Sequence, residues 1–384
     1  MAHPDAMSGG ARCREEEEQM RAAVLEEVGK PLVLCDDVEI DAPGPGQLRI
    51  DVKHCGLCHS DLSVVDGDFP AALPVILGHE AAGVVESVGP HVKGFSPGDP
   101  VVLTPVPPCG GCYWCVRGEP SLCVNMAGLA TNTFPDGTTH LSRNGEVVYR
   151  GLNLAAFGER VLVPATGAVK VAREIPLDVV CVIGCAVQTG VGAVLNTAKV
   201  EAGATVLVQG LGGIGLSVVQ GARIAGAARI LASDPVADRR ELAKRLGATD
   251  LLDPTAEDVA SRAHELTGVG ADYAFEAAGR AALVESSLAA VRNGGTVVAV
   301  GAPPVEQSVT IAPAAAFTIS EKKLVGCTLG SANSLREIPR LISLWQQGRL
   351  DLDALLTHRR PIDQINDSLD DLRAARGVRT VLSF

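Results

Sequence analysis

The stretch TVLVQGLGGIGLSVVQGARIAGAARILASD, residues 205 to 234, reads as strand, glycine turn, helix, second strand and terminal acid, an order that few architectures accommodate. Gly210, Gly212 and Gly215 keep a G-x-G-x-x-G spacing, with Gly213 inside it. The first glycine makes the tight turn, the second lets backbone amides approach a pyrophosphate, and the third lets helix pack on strand. The helix N-terminus then favours the anion. Asp234 closes the second strand, where a carboxylate accepts from ribose hydroxyls and repels a 2′-phosphate, so NAD is expected ahead of NADP. Arg239 and Arg240 follow closely; Arg239 is a candidate cofactor contact, and either cation could instead meet a 2′-phosphate.

Beyond Asp234, helical VADRRELAKRLG, strand-like ADYAFEAAG, helical RAALVESSLAAVRN and strand-like GTVVAVGAPP alternate. That is the rhythm of crossover units in a parallel sheet. Residues 187–329 are therefore expected to form a doubly wound α/β domain. Residues 30 to 180 are richer in Pro and Gly, with short alternating runs such as QLRIDVKHCG and AAGVVESVGP, and predict a mostly antiparallel, barrel-like β domain over 20–186. The helix-like SLREIPRLISLWQQGRL introduces a last segment, 330–384, expected to return to that first domain.

Eleven cysteines need sorting, and four of them, Cys109, Cys112, Cys115 and Cys123, follow C-x2-C-x2-C-x7-C. Two-residue gaps let neighbouring thiolates converge on one tetrahedral ion. Gly110, Gly111 and Gly118 let the chain turn tightly between them. A closed structural zinc site is the reading, ahead of disulfides, a redox thiol pair or an iron–sulfur cluster. A second, dispersed set comes from CGLCHSD with Cys58, LGHE with His79 beside Glu80, and VIGCAVQTG with Cys185. Taken singly, Cys185 reads as a core residue and His79 as a turn histidine. Together, two sulfurs and an imidazole make a three-ligand zinc site whose fourth position stays open to water or substrate.

A net charge of −12, without clustered Lys and Arg, argues against a nucleic-acid groove and for small-molecule chemistry. No stretch approaches the roughly 20 apolar residues that cross a bilayer. The EEEE run near the start stands where a signal peptide would be basic and then apolar, so no membrane association is expected and the cytoplasm is the expected location. Residues 1–19 carry five acids and two basic residues without apolar periodicity, and predict a disordered extension.

With CGLCHSD, LGHEAAGVVESVG, the four-cysteine lobe, GCAVQTG and GLGGIG in one chain, residues 20–384 resemble the zinc-dependent alcohol dehydrogenases of the medium-chain dehydrogenase/reductase family. The resemblance implies a GroES-like catalytic barrel, built by both ends of the chain around an inserted Rossmann domain, with the active site in the cleft. It implies two zinc ions per chain, a catalytic one on Cys58, His79 and Cys185 and a structural one on Cys109, Cys112, Cys115 and Cys123. Glu80 would sit behind the catalytic ion and assist ligand exchange. Asp61 would orient the His79 ring, the alternative being a helix cap, and Ser60 would open the proton relay, with the same alternative. Thr189 would pack near the nicotinamide, and Arg379, in GVRTVLSF, would bind the pyrophosphate.

The implied reaction is hydride transfer between NAD and a primary alcohol, aliphatic or benzylic, to give the aldehyde. A thiol-dependent formaldehyde dehydrogenase, acting on the hydroxymethyl adduct of glutathione or mycothiol, is the alternative to which DGTTHLS lends some likeness. That substrate wants basic residues at the pocket mouth, and sequence does not place Arg117, Arg143 or Arg150 there. A non-catalytic redox sensor, ejecting metal from Cys109 to Cys123, has no use for an open zinc site, a glycine fingerprint and Asp234 together. Three positions depart from the family pattern: Ser63, where many relatives finish the relay with His; His59, where some place Arg against the pyrophosphate and where histidine is expected to serve as a cofactor contact with a weaker, pH-dependent charge; and Pro105, where many put an aromatic pocket wall. The family also implies a homodimer paired through the sheet edge after GTVVAVGAPP, or a homotetramer.

Overall fold

The computed structural model describes residues 18–384. The extension expected over residues 1–19 lies outside the described residues, apart from Glu18 and Gln19, which open the first strand, Glu18–Leu25. There Glu18 pairs with Ile40 and Gln19 with Glu39, because a backbone ladder continues past the last apolar side chain wherever the partner strand still offers its amides.

Two largely antiparallel sheets build the first domain. One runs Glu146–Val147, Leu141–Arg143, Val33–Ile40, Glu18–Leu25, Val75–Ile76 and Tyr149–Arg150. The other runs Ala168–Lys170, Pro100–Leu103, Glu80–Val88, Gln47–Gly56, Arg379–Ser383 and Leu356–Pro361. In the long strand Gln47–Gly56, Leu48, Ile50 and Val52 are buried while Gln47, Arg49, Asp51 and Lys53 face outward, the period-two pattern of a half-buried strand. One edge of that strand is shared: Arg160–Pro164 pairs with its first half, and Val381 to Ser383 pair with Gly56 to His54. The C-terminal strand thus comes home beside the segment that leads into Cys58.

All six strands of the third sheet are parallel, in the order Asp250–Leu252, Arg229–Ser233, Thr205–Gln209, Ala271–Glu276, Val291–Ala299 and Lys323–Gly326. The order reverses between Thr205–Gln209 and Ala271–Glu276, which is the crevice where doubly wound sheets bind ligands. The strand Asp250–Leu252 and the helix Val259–Thr267 complete a crossover that the sequence pattern does not announce. The main core is continuous across both domains. It joins Ala82 and Val102 of the barrel to Val206 and Val208 of the parallel sheet, and Ile338 and Leu341 of the helix Ser334–Gln346 belong to the same cluster. Among the described residues no single helix is long and apolar enough to cross a membrane.

Candidate active site

Cys58 is the N-cap of the helix His59–Asp66, and Asp61 is the third residue of that helix. The buried Asp61 carboxylate reaches back to the Cys58 amide at 3.0 Å through Oδ2, a capping-box contact that fixes where Cys58 leaves the helix. Its Oδ1 accepts the Gly78 amide at 2.9 Å and faces His79 Nδ1 at 3.2 Å. The cap and the imidazole support, posed as alternatives from sequence, are one arrangement. With Nδ1–H aimed at a carboxylate, the ring turns its Nε2 toward the sulfurs.

The ligand atoms of Cys58, His79, Glu80 and Cys185 all lie within 4.8 Å of one another. Cys185 caps the helix Ala186–Gly192, and the Ala186 amide donates to Glu80 Oε1 at 3.2 Å. Burial pushes the Glu80 carboxyl up to about 8, against the pull of Arg379. The Cys58 thiol is drawn well below its ordinary range, first by hydrogen bonding to Cys185, and the same contact raises Cys185. Burial disfavours a charged His79, yet Asp61 and Cys58 together hold its pKa well above the usual value. Two sulfurs converging on an imidazole and a carboxylate form a donor set that suits zinc. The residues fit the expected metal.

Arg379 connects this cluster to the glycine turn. The buried guanidinium donates to the Leu57 carbonyl at 2.9 Å through Nη1 and meets Glu80 Oε1 at 3.1 Å through Nη2. It also covers Gly213 so closely that a Cβ there would fall 2.7 Å from Nη2. The fingerprint glycines divide their work as their spacing predicts. Gly210 takes φ +91°, a Cβ on Gly215 would fall 1.7 Å from the Gly210 carbonyl oxygen, and a Cβ on Gly212 would meet nothing within 4 Å. Gly212, the N-cap of the helix Gly213–Ala225, therefore borders open space at a positive helix end, a cradle that fits a pyrophosphate.

Asp234 is buried at the end of its strand, accepting the Leu211 amide at 2.8 Å through Oδ2 and the Val236 amide at 2.8 Å through Oδ1. Arg239 is spent across the cleft, donating to the Gly377 carbonyl at 2.9 Å, and Arg240 donates to Asp253 at 2.9 Å. Ser60 lies half-buried with Oγ 4.0 Å from Cys58 Sγ, His59 is exposed, Ser63 is buried, and Thr189 is buried on the helix that Cys185 caps.

The second sulfur cluster, Cys109, Cys112, Cys115 and Cys123, likewise converges within 4.8 Å. The Cys109 amide donates to Cys123 Sγ and the Cys112 amide to Cys109 Sγ, each at 3.3 Å, so the loop is already wrapped round its sulfurs. Backbone amides pull the Cys112 thiol down to about 6, while burial pushes Cys123 up to about 12. No disulfide joins any cysteine among the described residues. The two stalks of this lobe are held by Asn153, whose Nδ2 donates to the Pro105 carbonyl at 2.7 Å and the Asn125 carbonyl at 3.0 Å. Arg150, buried against the Phe134 ring at 3.7 Å, donates to Asn153 Oδ1 at 2.8 Å. Sequence reasoning missed Asn153, Leu57 and Gly78. Only the glycine directly ahead of the His79–Glu80 pair carried a signal; the other two act through sequence-distant partners.

Replacing Asp61 with Asn is expected to lower turnover and zinc retention about 10–100-fold, as loss of a group behind a metal ligand commonly does. Steady-state rates, together with zinc release to a chelator, check this; unchanged values for both would contradict the role.

Residues 213–345 match the zinc-binding dehydrogenase family, and residues 44–173 match the alcohol dehydrogenase GroES-like domain. The chain is similar to the alcohol dehydrogenase zinc-binding domain protein of Burkholderia ambifaria, at 35% identity over 96% of this chain and 100% of that one, with a TM-score of 0.91. It is similar to benzyl alcohol dehydrogenase of Acinetobacter calcoaceticus, at 30% identity over 96% and 99% of the two chains, with a TM-score of 0.90. A zinc-binding dehydrogenase of Sinorhizobium meliloti 1021 bound to NADP matches at 30% identity over 96% of this chain and 100% of that one, with a TM-score of 0.79. With both domains matched and a 35% identical relative aligned along its whole length, the chain belongs to the zinc-binding dehydrogenases of the medium-chain dehydrogenase/reductase family.

Proposed function

We propose that this chain is a zinc- and NAD-dependent oxidoreductase, with one catalytic and one structural zinc, that interconverts a primary alcohol, aliphatic or benzylic, and its aldehyde. One observation carries the reading: a single guanidinium, Arg379, touches Glu80 of the ligand cluster and covers Gly213 of the glycine turn. Cluster and cradle are therefore neighbours, one guanidinium apart. Zinc held by Cys58, His79 and Cys185 would supply the Lewis acid for the alcohol oxygen. Ser60 takes the alcohol proton. The Gly212 and Gly213 turn and Arg379 hold the pyrophosphate, and Asp234 accepts from the adenosine ribose. Thr189 packs against the nicotinamide, and the buried walls round Cys58 and His79 exclude water.

NAD is favoured over NADP because Arg239 and Arg240 are already engaged with Gly377 and Asp253, leaving Asp234 to meet the ribose. A benzylic or aliphatic alcohol is favoured over an anionic thiol adduct on similar grounds. Arg143 is paired with Asp37 and Glu26, Arg117 lies beside Glu119 on the lobe, and Arg150 is buried under Phe134. The A. calcoaceticus relative supports the benzylic end of the range. The edge strand Lys323–Gly326, preceded by exposed Val305, Ile311 and Ile319, is the face we assign to a homodimer.

The test is a panel of ethanol, longer primary alcohols, benzyl alcohol and formaldehyde with NAD or NADP, with and without glutathione or mycothiol. We expect reduced cofactor without added thiol, and NAD preferred at least about tenfold, equivalent to about 1.4 kcal/mol. Turnover confined to formaldehyde plus thiol would overturn the substrate assignment, and NADP preference would overturn the role of Asp234.

A further inference from the structure

After the last strand of the parallel sheet, the backbone turns left-handed at three successive residues, Leu329 (φ 46°), Gly330 (φ 66°) and Ser331 (φ 48°). Only the middle one is glycine. Side chains of L-residues crowd the backbone in this region, so such a run persists only where its surroundings enforce it. The enforcement comes from the segment that follows Cys185. There the helix Ala186–Gly192 widens into a π-helical turn, Ala193–Ala198, an uncommon geometry. From that turn Asn196 Nδ2 donates to the Gly330 carbonyl at 3.2 Å. Thr197 Oγ1 shares a hydrogen bond with Ser331 Oγ at 2.8 Å and donates to Cys327 Sγ at 3.3 Å. Gly192 and Gly330 meet backbone to backbone: a Cβ on Gly192 would fall 2.6 Å from the Gly330 oxygen, and one on Gly330 would fall 2.2 Å from the Gln188 oxygen. Beyond the turn, Thr104 Oγ1 donates to Ser334 Oγ at 3.0 Å and ties the strap to the barrel.

What the strap holds in place is Leu329. Its side chain is buried in a small cluster with Val106 and Cys123, and Cys185 packs against the same cluster. Val106 belongs to a stalk of the four-cysteine lobe, Cys123 is one of its sulfurs, and Cys185 belongs to the other sulfur set. The two sulfur sites meet at this leucine.

We propose that Asn196 and Thr197 are positioning residues: by locking Leu329–Ser331 in its left-handed turn they seat Leu329 in the seam between the four-cysteine lobe and Cys185, and so hold Cys185 in its working geometry. The inference rests on the reading of the Cys58, His79 and Cys185 cluster as the hydride-transfer site. Thr197→Val removes the hydroxyl at nearly constant size, Thr197→Ser keeps it, and Asn196→Ala removes the amide donor.

In the full-length zinc-loaded protein, N196A and T197V are expected to lower kcat about tenfold, a fraction of the roughly 100-fold that a 1 Å misplacement can cost. KM for NAD and zinc content should stay at wild-type values, the melting temperature should stay within about 2 °C of wild type, and T197S should restore kcat. A second arm needs no alcohol. With cobalt(II) exchanged only into the Cys58, His79 and Cys185 site and zinc kept in the four-cysteine lobe, the thiolate-to-cobalt absorption should shift in N196A and T197V but not in T197S. Unchanged kcat with an unshifted cobalt spectrum overturns the proposal, as does an activity loss that simply follows lost metal and melting temperature. Wild-type protein inert toward every alcohol would count against the proposed function instead, and the cobalt arm would still decide the positioning role.

Discussion

Cys58→Ala protein is expected to lose turnover with every alcohol by more than about 1000-fold, well beyond the roughly 10–100-fold attached to groups one step behind a ligand. Zinc content should fall from two equivalents to one, while NADH binding, followed by fluorescence titration, should stay within about threefold of wild type, a difference under about 0.7 kcal/mol. The separation follows from position. Cys58 is buried at the head of a barrel helix, its sulfur grouped with His79 and Cys185, whereas the cradle we propose for the dinucleotide, Gly210 to Gly215 and Asp234, lies on another domain. Alanine at the N-cap also leaves the Cys58-position amide free to meet Asp61, so the helix start survives. Turnover within tenfold of wild type, or joint loss of turnover and NADH binding, would show that the ligand cluster has been misread.

Cys112→Ser should act through stability. A closed four-sulfur site contributes metal affinity of about 10–16 kcal/mol in isolated zinc peptides, and that affinity is folding free energy for a loop with little core of its own. The lobe's apolar support is small: Cys112 and Cys115 pack beside Val106, Cys123 and Leu329, while Tyr113 and Val116 are exposed. If the weakened site costs about 3–5 kcal/mol, the melting temperature should fall by about 5 °C, at roughly 1 °C per kcal/mol for a chain of 384 residues. Calorimetry, soluble yield and zinc counting check this together. A variant with one equivalent of zinc and an unchanged melting temperature would refute the structural role of the lobe.

Legibility from sequence followed the range of the interaction. The parallel sheet was readable from Val206 to Val208, Gly210, Gly212, Gly215 and Asp234 because strand, turn and helix each leave a mark within a few residues. The short strand Asp250–Leu252 was not, since three residues hold too little of any period. The four-sulfur lobe was readable because its ligands crowd into fifteen positions. Asp61 was half readable. Its place in the first turn of a helix suggested a cap, its family likeness suggested a partner for His79, and only the fold brought Gly78 and His79 to the same oxygen.

Arg239 and Arg379 mark the limit. Neither has its partner nearby in sequence. Arg239 turned to the Gly377 carbonyl, while Arg379 reached Leu57, Glu80 and Gly213, because the strand Arg379–Ser383 pairs beside the strand that ends at Gly56. The sequence alone determined which donors and glycines are present and how near neighbours group, because short-range geometry is set by spacing along the chain. Tertiary structure alone decided which distant groups share an oxygen, a guanidinium or a left-handed turn. Such meetings depend on how strands and helices from opposite ends of the polypeptide pack, and no local period encodes that.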